Sequence, residues 1–381
     1  MTQLDNTQYG NGNNCTIVTS AIEVTDKATA TVRSTCIAVS PDRPIVAVAS
    51  DHGAIFILDC SSMKLLHRVE TTIQEVNDLR FSPDGKWLAI ASSSCNAAII
   101  DLAEHVGTVY YLGYVEWTSS CIAWSVDGSY IATGSETKSA AVWDIRSLHH
   151  PVRVFLHPSA VRRVAFTPDT RCLVTSTSNS MFLWNIEFSR LIVDPYHSSS
   201  ELFRVSPSPN APFALVSEDG GAGLIDLNDG QRVFGYNNHA NEPQADSLDF
   251  TSAISFSPYG NQVLFAIGNI LSVFYLPQSF ANGASMANPP QRRVVVIPQL
   301  FAATFSTRGK YIATGTSGGI LQLWDADTLE SLVTITSQNS RIKALSFSGN
   351  DEYIVAHYSN GTCRVWDITE VNQMTAVRSR M

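Results

Sequence analysis

Phe81-Ser82-Pro83-Asp84-Gly85-Lys86-Trp87-Leu88-Ala89-Ile90-Ala91 decides how this chain folds, because its phrasing returns along the whole sequence. Ser-Pro-Asp-Gly is a tight turn: proline presets φ at the first central residue, and Asp-Gly tolerates the conformation that reverses the chain. The apolar run behind it reads as a buried strand bounded by turn formers. Further copies are Tyr130-Ile131-Ala132-Thr133-Gly134-Ser135 leading to Ala141-Val142-Trp143-Asp144, and Tyr311-Ile312-Ala313-Thr314-Gly315 leading to Leu323-Trp324-Asp325. Tyr353-Ile354-Val355 leads in the same way to Val365-Trp366-Asp367.

The anchoring Ser or Thr of each copy is read at Ser40, Ser82, Ser125, Thr167, Ser206, Ser257, Ser306 and Ser348, spaced 39 to 51 residues apart. A second turn follows in most copies, as at Asp51-His52-Gly53, Asn96, Asn179, Asp219-Gly220-Gly221, Gly268-Asn269, Ser317-Gly318-Gly319 and Asn360-Gly361. A period just above forty residues with several short strands per period predicts an all-β fold, a single closed β-propeller of four-stranded antiparallel blades. One unit is too small to bury its own apolar face, so the units must stack, and such a stack presents a surface.

Outer strands are expected at 64–69, 108–115, 151–156, 190–193, 231–236, 292–297 and 331–336, which leaves one of the eight triplets without a fourth strand. The β-prone stretch 15–24 is expected to supply it, as the outer strand of the last blade that closes the ring. The alternative is seven blades, with 202–276 holding one blade and a half-formed insertion. Residues 1–13, rich in Asn, Gln, Thr and Gly, read as a disordered tail, 14–368 as the propeller and 369–381 as a C-terminal tail. Long connections are expected over 237–249 and 279–290.

These repeats resemble the WD-repeat family over roughly residues 15 to 368. The resemblance implies a non-enzymatic protein–protein interaction scaffold, a subunit of a multiprotein complex. Eight-bladed members of the family include substrate receptors of ubiquitin ligases and corepressor subunits, but no F-box-like helical module accompanies the repeats here. A full repeat of the family carries a Gly-His dipeptide and a turn Asp that join a strand Ser or Thr and the Trp in a buried hydrogen-bonded set. This sequence has no Gly-His, and Leu58, Ile100, Ile225 and Phe274 stand where Trp143, Trp184, Trp324 and Trp366 stand in the other copies. Such sets are therefore expected to be largely absent, with cohesion resting on apolar packing. In the family, partners often dock where the chain enters each innermost strand; the matching positions hold Asn77, Ser120, Arg162, Phe301 and Lys343, with Trp117 and Arg341 shortly before. Trp117, Arg162, Phe301, Arg341 and Lys343 form the expected protein-binding set, because aromatic and Arg side chains dominate interface hot spots.

Composition fits this reading. The chain has 381 residues, 44% of them hydrophobic and 15% charged, as suits many short buried strands. A net charge of −9 opposes bulk attraction to nucleic acid, though not a local basic patch. An RNA-associated subunit of a ribonucleoprotein or ribosome-assembly particle is the alternative function. Seven Cys without a C-x-x-C pair, and no secretory signal, point to a reducing intracellular compartment, cytoplasmic or nuclear. Cys36 and Cys121 share one place in their repeats and read as small core fillers. No apolar run approaches a membrane span.

Gly315-Thr316-Ser317-Gly318-Gly319 matches a nucleophile elbow by pattern, but it joins two strands where that motif joins a strand to a helix. His149-His150 would point to opposite faces of a strand, and the other His residues lack ligand spacing. No catalytic residue, metal, cofactor or small-molecule substrate is expected. Asn14-Cys15-Thr16 and Asn360-Gly361-Thr362 match glycosylation sequons by pattern alone.

Overall fold

The computed structural model describes residues 19–22, 34–62, 64–93, 97–113, 118–219, 221–237, 251–276, 291–336 and 339–371. Eight antiparallel sheets make eight blades. Their innermost strands, in order from blade 1 to blade 8, are Ser34–Val39, Val76–Phe81, Cys121–Trp124, Arg163–Phe166, Leu202–Pro207, Thr251–Phe256, Leu300–Phe305 and Ile342–Phe347. Each inner strand lies against its counterpart in the next blade, and that of blade 8 against that of blade 1, so the eight surround a central channel. The stretch 202–276 holds two blades, with Phe213–Glu218 and Gly221–Asp226 in one and Gln262–Ile267 and Ile270–Tyr275 in the other.

Blade 8 draws three strands from the end of the chain, the last two being Tyr353–Tyr358 and Cys363–Asp367. Its fourth is Thr19–Ile22, antiparallel to Cys363–Asp367 with Thr19 opposite Trp366 and Ile22 opposite Cys363. Packing continues past Cys363–Asp367, since Ile368 and Val371 are both buried. Residues 1–13, 238–249 and 279–290 lie outside the described residues.

The turn chemistry explains the repeat. In every blade the anchoring residue's N–H bonds the carbonyl five residues on, from Ser40 to Ile45 through Ser348 to Tyr353. The buried Ser82 hydroxyl accepts from Trp87 N–H at 2.9 Å and donates to Asp84 Oδ1 at 2.6 Å, and Ser125 with Asp127 and Ser348 with Asn350 repeat the arrangement. Burial would raise the Asp84 pKa, but donation from the Ser82 hydroxyl and Lys86 N–H outweighs it and holds the carboxyl below its ordinary range. Blade 8 has Gly349 where five other blades have proline, and a side chain there would strike the Pro41 carbonyl of blade 1, 1.8 Å from the Cβ position.

Two expectations are corrected. In blade 5 the anchor is Ser208, whose N–H bonds Phe213 O at 2.8 Å. Ser206 lies inside the inner strand, opposite Leu215. Ser206-Pro207-Ser208-Pro209 contains the turn signal twice, and the second copy, completed by Asn210, is the one that turns. In blade 4 the expected outer strand at 190–193 is broken into Arg190–Leu191 and Tyr196–His197, both paired with Ser180–Asn185. Pro195 lies between them and has no N–H for the ladder.

Side chains alternate across each strand, so every blade packs on both faces. Among the described residues, eight buried apolar clusters result, one at each junction between neighbouring blades. Ala47 and Ala49 face blade 2, with Leu79, Leu88 and Ile90, while Val46 and Val48 face blade 8, with Val355, Cys363 and Val365. Each fully buried Val, Leu, Ile or Phe contributes about 1.5–3 kcal/mol as an upper estimate. Cohesion therefore does rest on apolar packing between blades.

Candidate functional site

The end of the ring where the inner strands begin is shaped by bulges. In six inner strands the ladder slips by one residue, at Thr35, Asn77, Phe203, Ser252, Phe301 and Lys343. A bulged residue leaves the ladder and its side chain is re-aimed, which turns a regular sheet edge into a row of presented groups. Phe301 and Lys343 thus owe their placement to backbone geometry. Ser120 and Arg162 hold the matching positions in blades 3 and 4, where their N–H groups bond Gly134 O and Ser176 O.

Two members of the expected set meet directly. The Arg341 guanidinium, which enters blade 8, lies 4.5 Å from the centre of the half-buried Phe301 ring of blade 7. Lys343, exposed, follows two residues after Arg341 on the next bulge. The three form one aromatic and cationic patch over the junction of blades 7 and 8. Arg162 is apart from them, in blade 4, where it pairs with Glu201 at 2.6 Å with both side chains nearly half exposed. Such an exposed pair contributes little to stability, so its two charges are available to other partners at small cost.

Asn77 and Ser120 have structural work instead. Asn77 Nδ2 donates to Ser119 O of blade 3 at 3.3 Å, and Ser120 Oγ donates to Val161 O of blade 4 at 2.8 Å. Trp117 lies outside the described residues. Sequence reading missed Phe203, a half-buried aromatic on the blade 5 bulge. Taking Ser206 as the anchor displaces the register by two and puts Glu201 in its place; the Ser208-Pro209-Asn210 turn is the signal that finds it.

The buried hydrogen-bonded sets are more complete than expected. Trp143 Nε1 donates to Thr133 Oγ1 at 3.0 Å and Trp324 Nε1 to Thr314 Oγ1 at 2.8 Å. In blade 4, Trp184 Nε1 donates to Thr175 Oγ1 at 3.0 Å, and His157 Nε2 lies 2.7 Å from the same hydroxyl. His157 Nδ1 sits 3.2 Å from Phe155 O, and burial pushes the ring's pKa down to about 4, so the imidazole is neutral. Leu156-His157 does the task of Gly-His, which a search for the dipeptide overlooks. Trp366 alone among the four is unsatisfied, its buried Nε1 having no acceptor.

Burial pushes the thiols of Cys36 and Cys121 up to about 12, as fits small apolar fillers. Among the described residues no cluster of His, Cys, Asp and Glu has the arrangement of a metal site, and no helix is long and apolar enough to cross a membrane.

Comparison with known proteins agrees with this architecture. Residues 40–127 match the Anaphase-promoting complex subunit 4 WD40 domain family, and residues 113–144, 149–185 and 329–367 match the WD domain, G-beta repeat. The Intraflagellar transport protein 122 homolog of Homo sapiens is 29% identical over 127 residues, 33% of this chain and 10% of that protein. Actin-interacting protein 1 of Caenorhabditis elegans is 25% identical over 162 residues, 41% of this chain and 26% of that protein. The chain thus matches about a quarter or less of the length of these curated relatives. Among solved structures, the C-terminal WD40 domain of Sif2 aligns with a TM-score of 0.72 at 14% identity, over 88% of this chain and 96% of that one. The computationally designed Ika8 protein aligns with a TM-score of 0.68 at 19% identity over the same shares. The repeats, the eight four-stranded blades and these likenesses agree: the chain carries WD repeats in the matched segments and is an eight-bladed propeller.

Proposed function

We propose that this protein is a non-catalytic scaffold, a subunit of a protein assembly that docks partners on the bulged end of its ring. The observation that carries this reading is the Phe301, Arg341 and Lys343 patch, an aromatic face already stacked by a guanidinium beside an exposed ammonium, held on bulges of neighbouring rigid blades. Rigid presentation lowers the ordering cost of binding, and aromatic and Arg anchors are the groups from which hot spots are built. Arg162 and Glu201 offer a second foothold across the channel mouth, so a partner that spans the mouth touches both. An intracellular location fits the five described cysteines, all free thiols.

Affinity purification of the intact chain followed by mass spectrometry tests the proposal. Arg341→Glu and Lys343→Glu should each deplete the same partner at least fivefold with an unchanged melting temperature, and Arg162→Glu should deplete it less. Retention of every partner by all three variants would overturn the assignment of this face.

A further inference from the structure

One arc of the channel wall is cationic, and at the same level the opposite arc carries no charged residue. At the position after the bulge, or its equivalent, successive inner strands carry Cys36, Asp78, Cys121, Arg163, Arg204, Ala253, Ala302 and Ala344. Two residues further along blade 2 comes Arg80. Arg80, Arg163 and Arg204 are exposed to solvent although each sits on an innermost strand, which places their side chains in the water of the channel. Opposite them Ala253 and Ala302 are buried in the blade junctions and Ala344 is half-buried, so these strands bring no charge to this level.

The charges do not cancel. Asp78 is the one acid at this level, and it is committed to Arg80, whose Nε lies 3.2 Å from its Oδ1. Arg163 donates Nη1 to Arg162 O at 2.9 Å and has no carboxylate partner among the described residues. Arg204 has no hydrogen-bonded or ionic partner among them either. The two guanidiniums stand on adjoining strands of blades 4 and 5 and feel each other: partial loss of hydration within the channel, then Arg163, then Arg80 disfavour the charge on Arg204. Like charges gathered without a counter-charge cost stability, and a protein that keeps them has a use for the field they make.

We propose that the channel is a binding site for a small, multiply charged oxyanion of the phosphate class, held by Arg163 and Arg204 with Arg80 behind them. Guanidiniums match phosphate oxygens two at a time, and walls that exclude bulk water strengthen each such bond. The recess below the bulges favours a free anion over one fixed to a bilayer. This site is independent of the docking face, for which the bulge residues are responsible.

Titration calorimetry of the intact chain with tripolyphosphate and with pyrophosphate tests it. Tripolyphosphate should bind at one site per chain, more tightly than pyrophosphate, and raise the melting temperature. Arg163→Gln with Arg204→Gln should weaken it at least tenfold, Asp78→Asn should tighten it severalfold by releasing Arg80, and the rim variant Arg190→Gln should bind as the parent does. Arg204→Gln alone should melt higher than the parent without anion and respond less to added tripolyphosphate, a readout that mere unfolding cannot imitate. Equal binding by the parent and the double variant, or no binding of either probe, would overturn the site. Cosedimentation with phosphatidylinositol bisphosphate vesicles that depends on Arg163 and Arg204 would overturn the free anion as ligand.

Discussion

Blades 4 and 8 solve the same packing problem with different resources. Blade 4 is continuous in sequence, and its Trp184 is held by Thr175 and His157 in a hydrogen-bonded chain that ends on Phe155 O. Blade 8 is assembled from both ends of the described chain, and its Trp366 is fully buried with no acceptor for Nε1. Facing residues account for the difference. Thr133, Thr175 and Thr314 lie two positions beyond the residue opposite the Trp in blades 3, 4 and 7; in blade 8 that position is Ala356. A buried donor without a partner costs about 1–3 kcal/mol, so blade 8 tolerates a penalty that blade 4 avoids. Apolar packing outweighs the polar set: Trp366 joins Tyr311, Leu323, Ile354 and Ile368 in the junction of blades 7 and 8.

The largest test of the comparison concerns how blade 8 is completed. Deleting residues 1–25 removes Thr19–Ile22 and leaves Cys363–Asp367 as an unpaired edge, with its N–H and C=O groups exposed to other chains. Soluble, cooperatively melting protein should be lost, whereas deletion of 1–12 should leave the melting temperature unchanged. A longer deletion that melts like the intact chain would show that blade 8 stands on three strands.

Next come the tryptophans. Truncation of Trp143, Trp324 or Trp366 to Ala should each cost about 3–5 kcal/mol in denaturant titrations. Trp→Phe separates ring packing from hydrogen bonding: Trp143→Phe and Trp184→Phe should cost about 1–3 kcal/mol more than Trp366→Phe, which discards a donor that has no acceptor. Equal losses at all three sites would refute the contrast between the blades.

Acid should weaken blade 4 specifically. His157 has a folded pKa of about 4, below its ordinary 6.5. As pH falls below 6.5 the unfolded chain takes up the proton and the folded one does not, so stability present above 6.5 is lost progressively down to about 4, by about 3 kcal/mol in all. His157→Gln should flatten that part of the curve of stability against pH while lowering stability at neutrality. An unchanged slope would assign the acid sensitivity to another group.

What the sequence disclosed follows from which constraints are local. Pro83, Asp84 and Gly85 after Ser82, and Asp127 and Gly128 after Ser125, specify turns through their own φ preferences, so blade number and strand order were legible. The tandem Ser206-Pro207-Ser208-Pro209 satisfies the same rule twice, and only pairing with Phe213–Glu218 selects the second. Phe301 and Lys343 were found by offset from an anchor, but the stacking of Arg341 on Phe301 depends on how two blades pack, which no local rule contains. His157 was hidden because its preceding residue is Leu156, although its imidazole sits where the set requires one. The arginines of the channel lie two and four residues before their anchors, and only assembly of the ring shows that they face one another.

The smallest effect is the sharpest test of the difference between the two blades. Ala356→Ser adds a hydroxyl two positions beyond Ile354, the residue opposite Trp366, at the level where Thr133, Thr175 and Thr314 supply theirs. Serine adds one heavy atom, which limits overpacking at a site where Ala356 is fully buried. If the missing acceptor is what separates blade 8 from the others, the variant should gain about 1 kcal/mol, and combining it with Trp366→Phe should abolish the gain because the donor is then gone. A gain that survives in the double variant would come from filled space, and the comparison would then rest on packing volume instead of hydrogen bonding.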